Sequence, residues 1–152
     1  AQIAFYTQHP KALRLGRQRI EIRGRRREAL ALDLMMRVSR QFLSGPPPPH
    51  LADLAETMSV PGEALTNLAD ALHAGGLIEY AEDGGLLPGR DLANLRVAEV
   101  LRVLRQSSSG SEFLPPAQAQ AEAVLDEVEG QIDEKLGQLT MRELAARDAG
   151  PG

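Results

Sequence analysis

The chain has 152 residues but no cysteine and no tryptophan, three phenylalanines and two tyrosines, three histidines, and only two lysines, Lys11 and Lys135. Without cysteine there are no disulfides, thiolate metal ligands or cysteine nucleophiles, which fits a reducing compartment. With so few rings, a single core must be built from Leu, Ala, Val and Met. No apolar run approaches the roughly 18 to 20 residues that a membrane helix requires. His9, His50 and His73 are widely spaced, with no His-x-His or His-Glu-x-x-His pattern, so no metal site is indicated. Gly-x-Ser-x-Gly is absent, and neither Gly75-Gly76 nor Gly84-Gly85 has the lysine and strand-to-helix setting of a phosphate loop. Glu82-Asp83 and the carboxylates near the C-terminus read as solvated acids rather than an acid/base pair. Enzymatic chemistry, a cofactor and a small-molecule ligand are therefore not expected.

What is present is a strong separation of charge. Lys11, Arg14, Arg17, Arg19, Arg23, Arg25, Arg26 and Arg27 face one acid, Glu21, giving residues 1–27 a net +7. The remaining nine bases and twenty acids give residues 28–152 a net −11. From Gln41 to Gly89 there is no Lys or Arg, while Asp53, Glu56, Glu63, Asp70, Glu79, Glu82 and Asp83 all fall there. Such an asymmetry marks a basic tail that meets nucleic acid or a membrane surface, attached to a body that meets neither.

The apolar periodicity predicts a mainly α fold with a small β-hairpin, a winged helix-turn-helix plus a long C-terminal helix. Residues 1–27 read as an arm interrupted by Pro10, Gly16 and Gly24. Leu30, Leu34, Met35, Val38 and Phe42 predict a helix from Glu28 that stops at Gly45 and the stiff connector Pro46–Pro49. Leu51, Leu54, Ala55 and Met58 give a short helix, and Ser59-Val60-Pro61-Gly62 a turn. Leu65, Leu68, Ala69 and Leu72 give a second helix ending at Gly75-Gly76. Two short helices on a tight turn are the helix-turn-helix signature. Leu77–Tyr80 and Leu86-Leu87, around Ala81–Gly85, read as the wing. Val97, Val100, Leu101 and Leu104 place a helix behind it, completing a domain of residues 28–106. Residues 107–116 read as a linker, and residues 117–147 as a C-terminal helical segment. In that segment Ala121, Val124, Leu125, Val128, Ile132 and Leu136 form an apolar stripe among acids. The stripe needs a covering surface, on its own body, a second copy or another protein. Thr140 and Glu143 fit a capping box.

A helix-turn-helix that reads DNA presents its second helix to the major groove and needs cations for phosphates. Here that helix carries Glu63, Thr66, Asn67, Asp70 and His73. Asn67 suits an adenine, but Glu63 and Asp70 would meet phosphates with like charge. The reading is that DNA is not the partner of this face, and that Glu63, Asn67, Asp70 and Tyr80 form a candidate protein-partner or homodimer surface.

Ala1-Gln2-Ile3-Ala4-Phe5-Tyr6-Thr7-Gln8-His9-Pro10 resembles the segment leaving the last membrane helix in the YihY/BrkB family of bacterial inner-membrane proteins. The order of Leu51-Ala52-Asp53-Leu54, Val60-Pro61, Gly75-Gly76-Leu77 and Pro88-Gly89-Arg90-Asp91 is similar to that family too, although each motif is shared with winged-helix regulators such as the Rrf2 group. The resemblance covers roughly residues 1–106. It implies the cytoplasmic C-terminal domain of a multi-span inner-membrane protein, a non-enzymatic interaction or regulatory module from a family labelled ribonuclease BN or virulence factor. Lys11, Arg14, Arg17, Arg19, Arg23, Arg25, Arg26 and Arg27 would then be a juxtamembrane strip on anionic headgroups, each contributing about 1 kcal/mol. The ribonuclease label finds no metal or His/Lys/carboxylate cluster to support it. The alternative is a nucleic-acid-binding winged-helix regulator whose basic arm supplies the phosphate contacts.

Overall fold

A computed structural model describes residues 24–107 and 117–147. The expected arm, apart from Gly24 to Arg27, and nearly all of the expected linker lie outside the described residues. Along the chain run α1 (Gly24–Ser44), α2 (Leu51–Met58), α3 (Gly62–Ala74), β1 (Ile78–Tyr80), β2 (Leu86–Pro88), α4 (Val97–Ser107), α5 (Ala119–Leu136) and α6 (Met141–Ala146). The strands pair antiparallel, with Ile78 opposite Pro88, Glu79 opposite Leu87 and Tyr80 opposite Leu86. The fold class is the expected one, a winged helix-turn-helix followed by a long helix.

α1 is the spine. Ala31, Leu34, Met35 and Val38 recur at i, i+3, i+4 and i+7, and all are fully buried. Their stripe packs against α3, α4, α6 and β2. α1 begins at Gly24 rather than Glu28, because Arg25, Arg26 and Arg27 are good helix formers and continue its first turn. It ends where Gly45 takes φ +108, a value that L side chains rarely adopt. Gln41 holds this exit, its carbonyl accepting from the Gly45 N–H and its Nε2 donating to the Gly45 carbonyl, both at 3.0 Å.

The proline run then serves the wing as well as the spine. The Leu86 N–H donates to the Pro49 carbonyl at 2.8 Å, so the connector lies against the start of β2. A side chain at Gly85 would strike the Pro48 ring at 2.6 Å. Past the wing, Asp91 accepts from the Ala93 N–H at 2.8 Å in a tight turn, and Leu92 and Leu95 are buried before α4 begins.

The end of the chain is more deeply integrated than its sequence suggests. Met141 is fully buried, and its N–H donates to the Leu95 carbonyl at 2.7 Å. The Val97 N–H donates to the Leu139 carbonyl at 3.0 Å, and Arg96 bridges to Thr140. Arg40 of α1 donates to the carbonyls of Ala145 at 3.0 Å and Arg147 at 2.9 Å, satisfying the C-terminal end of α6. The expected capping residue is in place, Thr140 Oγ1 accepting from the Glu143 N–H at 3.2 Å.

α5 is the exception. None of its residues is buried, and Val124, Leu125 and Val128 are 58%, 59% and 47% exposed. It meets α4 through its second half, where Arg102 reaches both carboxylate oxygens of Asp133 at 3.1 and 3.2 Å, and Arg105 lies 4.0 Å from Glu129. A cleft of about 300 Å³ bordered by Ala98, Leu101 and Ile132 separates the two helices. The first half of the stripe, through Val128, is thus not covered by this chain's own described body, while Ile132 is half-buried beside α4.

Two stability outcomes follow. Leu72→Ala, at a fully buried site, is expected to cost about 2 to 5 kcal/mol in urea unfolding, whereas Val128→Ala on the open face of α5 should change stability by less than about 0.5 kcal/mol. Ser39 is fully buried, and its hydroxyl has no partner among the described residues. Ser39→Ala relieves that desolvation and should raise stability by about 1 kcal/mol, read as a higher urea midpoint at unchanged slope.

Candidate nucleic-acid interface

The turn between α2 and α3 is set by backbone geometry. Ser59 takes a left-handed conformation, φ 54 and ψ 44, and its N–H donates to the Glu56 carbonyl at 3.1 Å. The Val60 N–H donates to the Ala55 carbonyl at 2.9 Å, while buried Val60 seals the corner and Pro61 presets the entry to α3. Ala64, Leu65, Leu68, Ala69 and Leu72 are buried, which turns Glu63, Thr66, Asn67, Asp70 and His73 outward. The face expected from periodicity is therefore the face presented.

α3 and the wing are tied into one unit by two aromatic side chains. Tyr80 Oη donates to Asp70 Oδ1 at 3.1 Å, and the Tyr80 and His73 rings meet edge to face with centroids 5.1 Å apart. His73 Nδ1 lies 3.0 Å from the Ile78 carbonyl oxygen, a bond that needs its proton on that nitrogen, and 3.7 Å from Glu79. Of the four candidate partner residues, Asp70 and Tyr80 are joined, and Glu63 and Asn67 stand on the preceding turns of the same helix. In the sequence His73 reads as one of the polar residues on this face and as a histidine without metal-binding spacing. Its structural role could have been sought in its position seven residues before Tyr80 across the Gly75-Gly76 turn.

The wing tip is a closed turn. The Ala81 N–H donates to the Gly85 carbonyl at 2.8 Å, and Asp83 Oδ1 accepts from the Gly85 N–H at 2.9 Å. His50 Nε2 approaches Asp83 at 3.5 Å. The Gly85 N–H, and more weakly His50, hold the Asp83 carboxyl below its ordinary range. Glu82 and Asp83 are thus an anchored, exposed acidic tip, and among the described residues no group of three His, Asp or Glu side chains could hold a metal ion.

The basic residues divide. Lys11, Arg14, Arg17, Arg19 and Arg23 lie outside the described residues. Arg25 and Arg26 are exposed on the first turn of α1. Arg27 faces the body, donating to the Leu104 carbonyl at 2.7 Å and to Ser107 Oγ at 2.8 Å, so this member of the expected anion-binding strip joins α1 to the end of α4. Desolvation lowers its guanidinium somewhat from the ordinary arginine value, partly offset by Glu28. Arg105 makes the reciprocal link, donating to Glu28 at 3.0 Å.

Partial burial, then the bond to Asp70 and its charge, raises the Tyr80 phenol above the usual tyrosine value. The stabilisation from this neutral phenol is fully present below the unfolded-state value near 10 and is lost as pH rises through the higher folded value. In a Tyr6→Phe background, phenolate absorbance should report a late Tyr80 ionisation. Asp70→Asn should bring it only part of the way back, because burial is the larger cause.

Comparison with known proteins places this fold. No protein-family model and no curated protein matches the chain. Solved structures do match: CymR (YrzC), the global cysteine regulator of B. subtilis, is 20% identical with a TM-score of 0.62, over 84% of this chain and 98% of that one. IscR of T. potens is 21% identical with a TM-score of 0.61, over 86% of this chain and 93% of that one. A Listeria innocua protein assigned as a transcriptional regulator is 16% identical with a TM-score of 0.57, over 83% and 90% of the two chains.

These matches correct the reading by resemblance. The YihY/BrkB assignment, the inner-membrane location, the ribonuclease and virulence labels and the interaction-module function are overturned by a fold shared over nearly whole chains with regulators. No helix among the described residues is long and apolar enough to cross a membrane. The physical reason for the error is that the Leu-Ala-x-x-Leu helix, Val-Pro turn, Gly-Gly-Leu exit and acidic hairpin are what any winged helix needs to close its core. The arginine strip suits lipid headgroups and nucleic-acid phosphates equally, so assigning it to a membrane surface, and setting DNA aside, is corrected as well.

Proposed function

We propose that this chain is a non-enzymatic, DNA-binding winged-helix transcriptional regulator of the Rrf2 type. α3 and the wing form its reading surface, and the basic arm supplies the phosphate contacts. The observation that carries the reading is the match, over 93% and more of their lengths, to the cysteine regulator CymR and to IscR. Two features support it further. The outward face of α3 is polar and uncovered, and the cations that a helix-turn-helix normally carries beside its reading helix are concentrated instead in residues 1–27. Division of labour of this kind is physically reasonable, because phosphate contacts supply affinity and base contacts supply selectivity, and the two need not come from one element.

The test is gel-shift binding to random-sequence duplex DNA across a salt series, for the full chain and for a truncation lacking residues 1–23, which leaves α1 whole. The full chain should bind with an affinity that falls steeply with salt. The truncation should lose roughly 0.9 of logarithmic slope for each arm cation that meets a phosphate. Failure of the full chain to bind any duplex at low salt would exclude the proposal.

A further inference from the structure

The exposed face of α3 has an unusual chemistry for a reading helix, and that chemistry restricts which base edges it can recognise. Thr66 Oγ1 donates back to the Gly62 carbonyl at 2.8 Å, which leaves its methyl group as the outward feature. Asp70 is engaged by Tyr80. Glu63 and Asn67 remain, both exposed, four residues apart on one face, and without a hydrogen-bond or ion-pair partner among the described residues. No Lys or Arg occurs anywhere from Gln41 to Gly89, a stretch that includes α2, α3 and the whole wing.

In the major groove guanine offers two acceptors, N7 and O6, and is read chiefly by Arg or Lys. An ionised carboxylate has no proton to give and repels those acceptors. Cytosine offers its N4 amino group, which a carboxylate accepts. Adenine offers N6 as donor and N7 as acceptor, the pair that a carboxamide matches. From Glu63 and Asn67 we infer that α3 is a reader of amino groups, with Glu63 selecting cytosine N4, Asn67 selecting adenine N6 and N7, and guanine rejected on the contacted strand. Residues one turn apart are separated by about 6 Å along the helix, and bases by about 3.4 Å, so the two bases fall one or two steps apart. Glu63 sits in the first turn of α3, the part of a reading helix that reaches deepest toward the bases. The carboxylates that seem to forbid DNA therefore act as a filter, since one placed at a base edge meets an amino group rather than a phosphate.

This inference rests on the DNA-binding proposal, and its experiment separates the two. The full chain is used to enrich sequences from a random duplex pool at low salt, and the same is done with Asn67→Ala and Glu63→Gln. The native chain should enrich a motif with cytosine and adenine one or two positions apart. Asn67→Ala should lose the preference at the adenine, a discrimination of about 5- to 150-fold, and keep the cytosine. Glu63→Gln should convert the cytosine preference to adenine, because the new carboxamide matches N6 and N7. Both sites are solvent-facing, and unchanged unfolding midpoints would show that the fold is intact. DNA bound without sequence preference, a motif with no G·C pair within two positions of the adenine, or a motif unmoved by both substitutions would overturn the inference and leave DNA binding standing. No enrichment of any duplex would overturn both.

Discussion

Burial of one stripe of α1 is the constraint on which the rest depends. Ala31, Leu34, Met35 and Val38 present a single narrow apolar strip, and α3, α4, α6 and β2 all converge on it. Each large side chain buried there contributes about 1.5 to 3 kcal/mol. The chain has few rings and no cross-link to offer as a substitute. α3 is held at a defined angle because its inner face, Leu65, Leu68 and Leu72, belongs to the same core as that strip. The wing is fixed from both sides, by the proline connector against β2 and by His73 and Tyr80 against α3.

The parts of this architecture that were legible in the sequence are those set by local rules. The i, i+3, i+4, i+7 stripes of α1 and α3, the Val60-Pro61 turn and the Thr140 cap each depend on residues within one or two helical turns. What was illegible depends on partners far apart in the chain. Arg27 reads as one more member of a basic strip, yet its bonds to Leu104 and Ser107 span 77 and 80 residues. Met141 reads as the start of a last short helix, yet it is core because the chain returns after α5 and docks on Leu95. The start of α1 was misplaced because a run of arginines looks like an arm by charge while being helical by propensity.

The candidate site shows the same division with a further lesson. Which residues of α3 face outward followed directly from periodicity. That Asp70 is tied to the wing while Glu63 and Asn67 stay open did not, and those facts decide what each side chain can recognise. Family assignment failed for a different reason. The motifs used were the minimum needed to build a winged helix, so they report the architecture and say little about where in the cell it works.

The attachment of α5 has a consequence of its own. The body is held by apolar contact, whereas α5 meets it largely through Arg102–Asp133 and Arg105–Glu129, pairs whose side chains are substantially exposed. Ions screen exposed pairs over a Debye length of about 8 Å at physiological strength and less above it, and leave apolar burial intact. Ionic strength is therefore a selective lever on this molecule: raising it loosens the grip of α4 on α5 without unfolding the core, so the helix and the body answer to different solution variables.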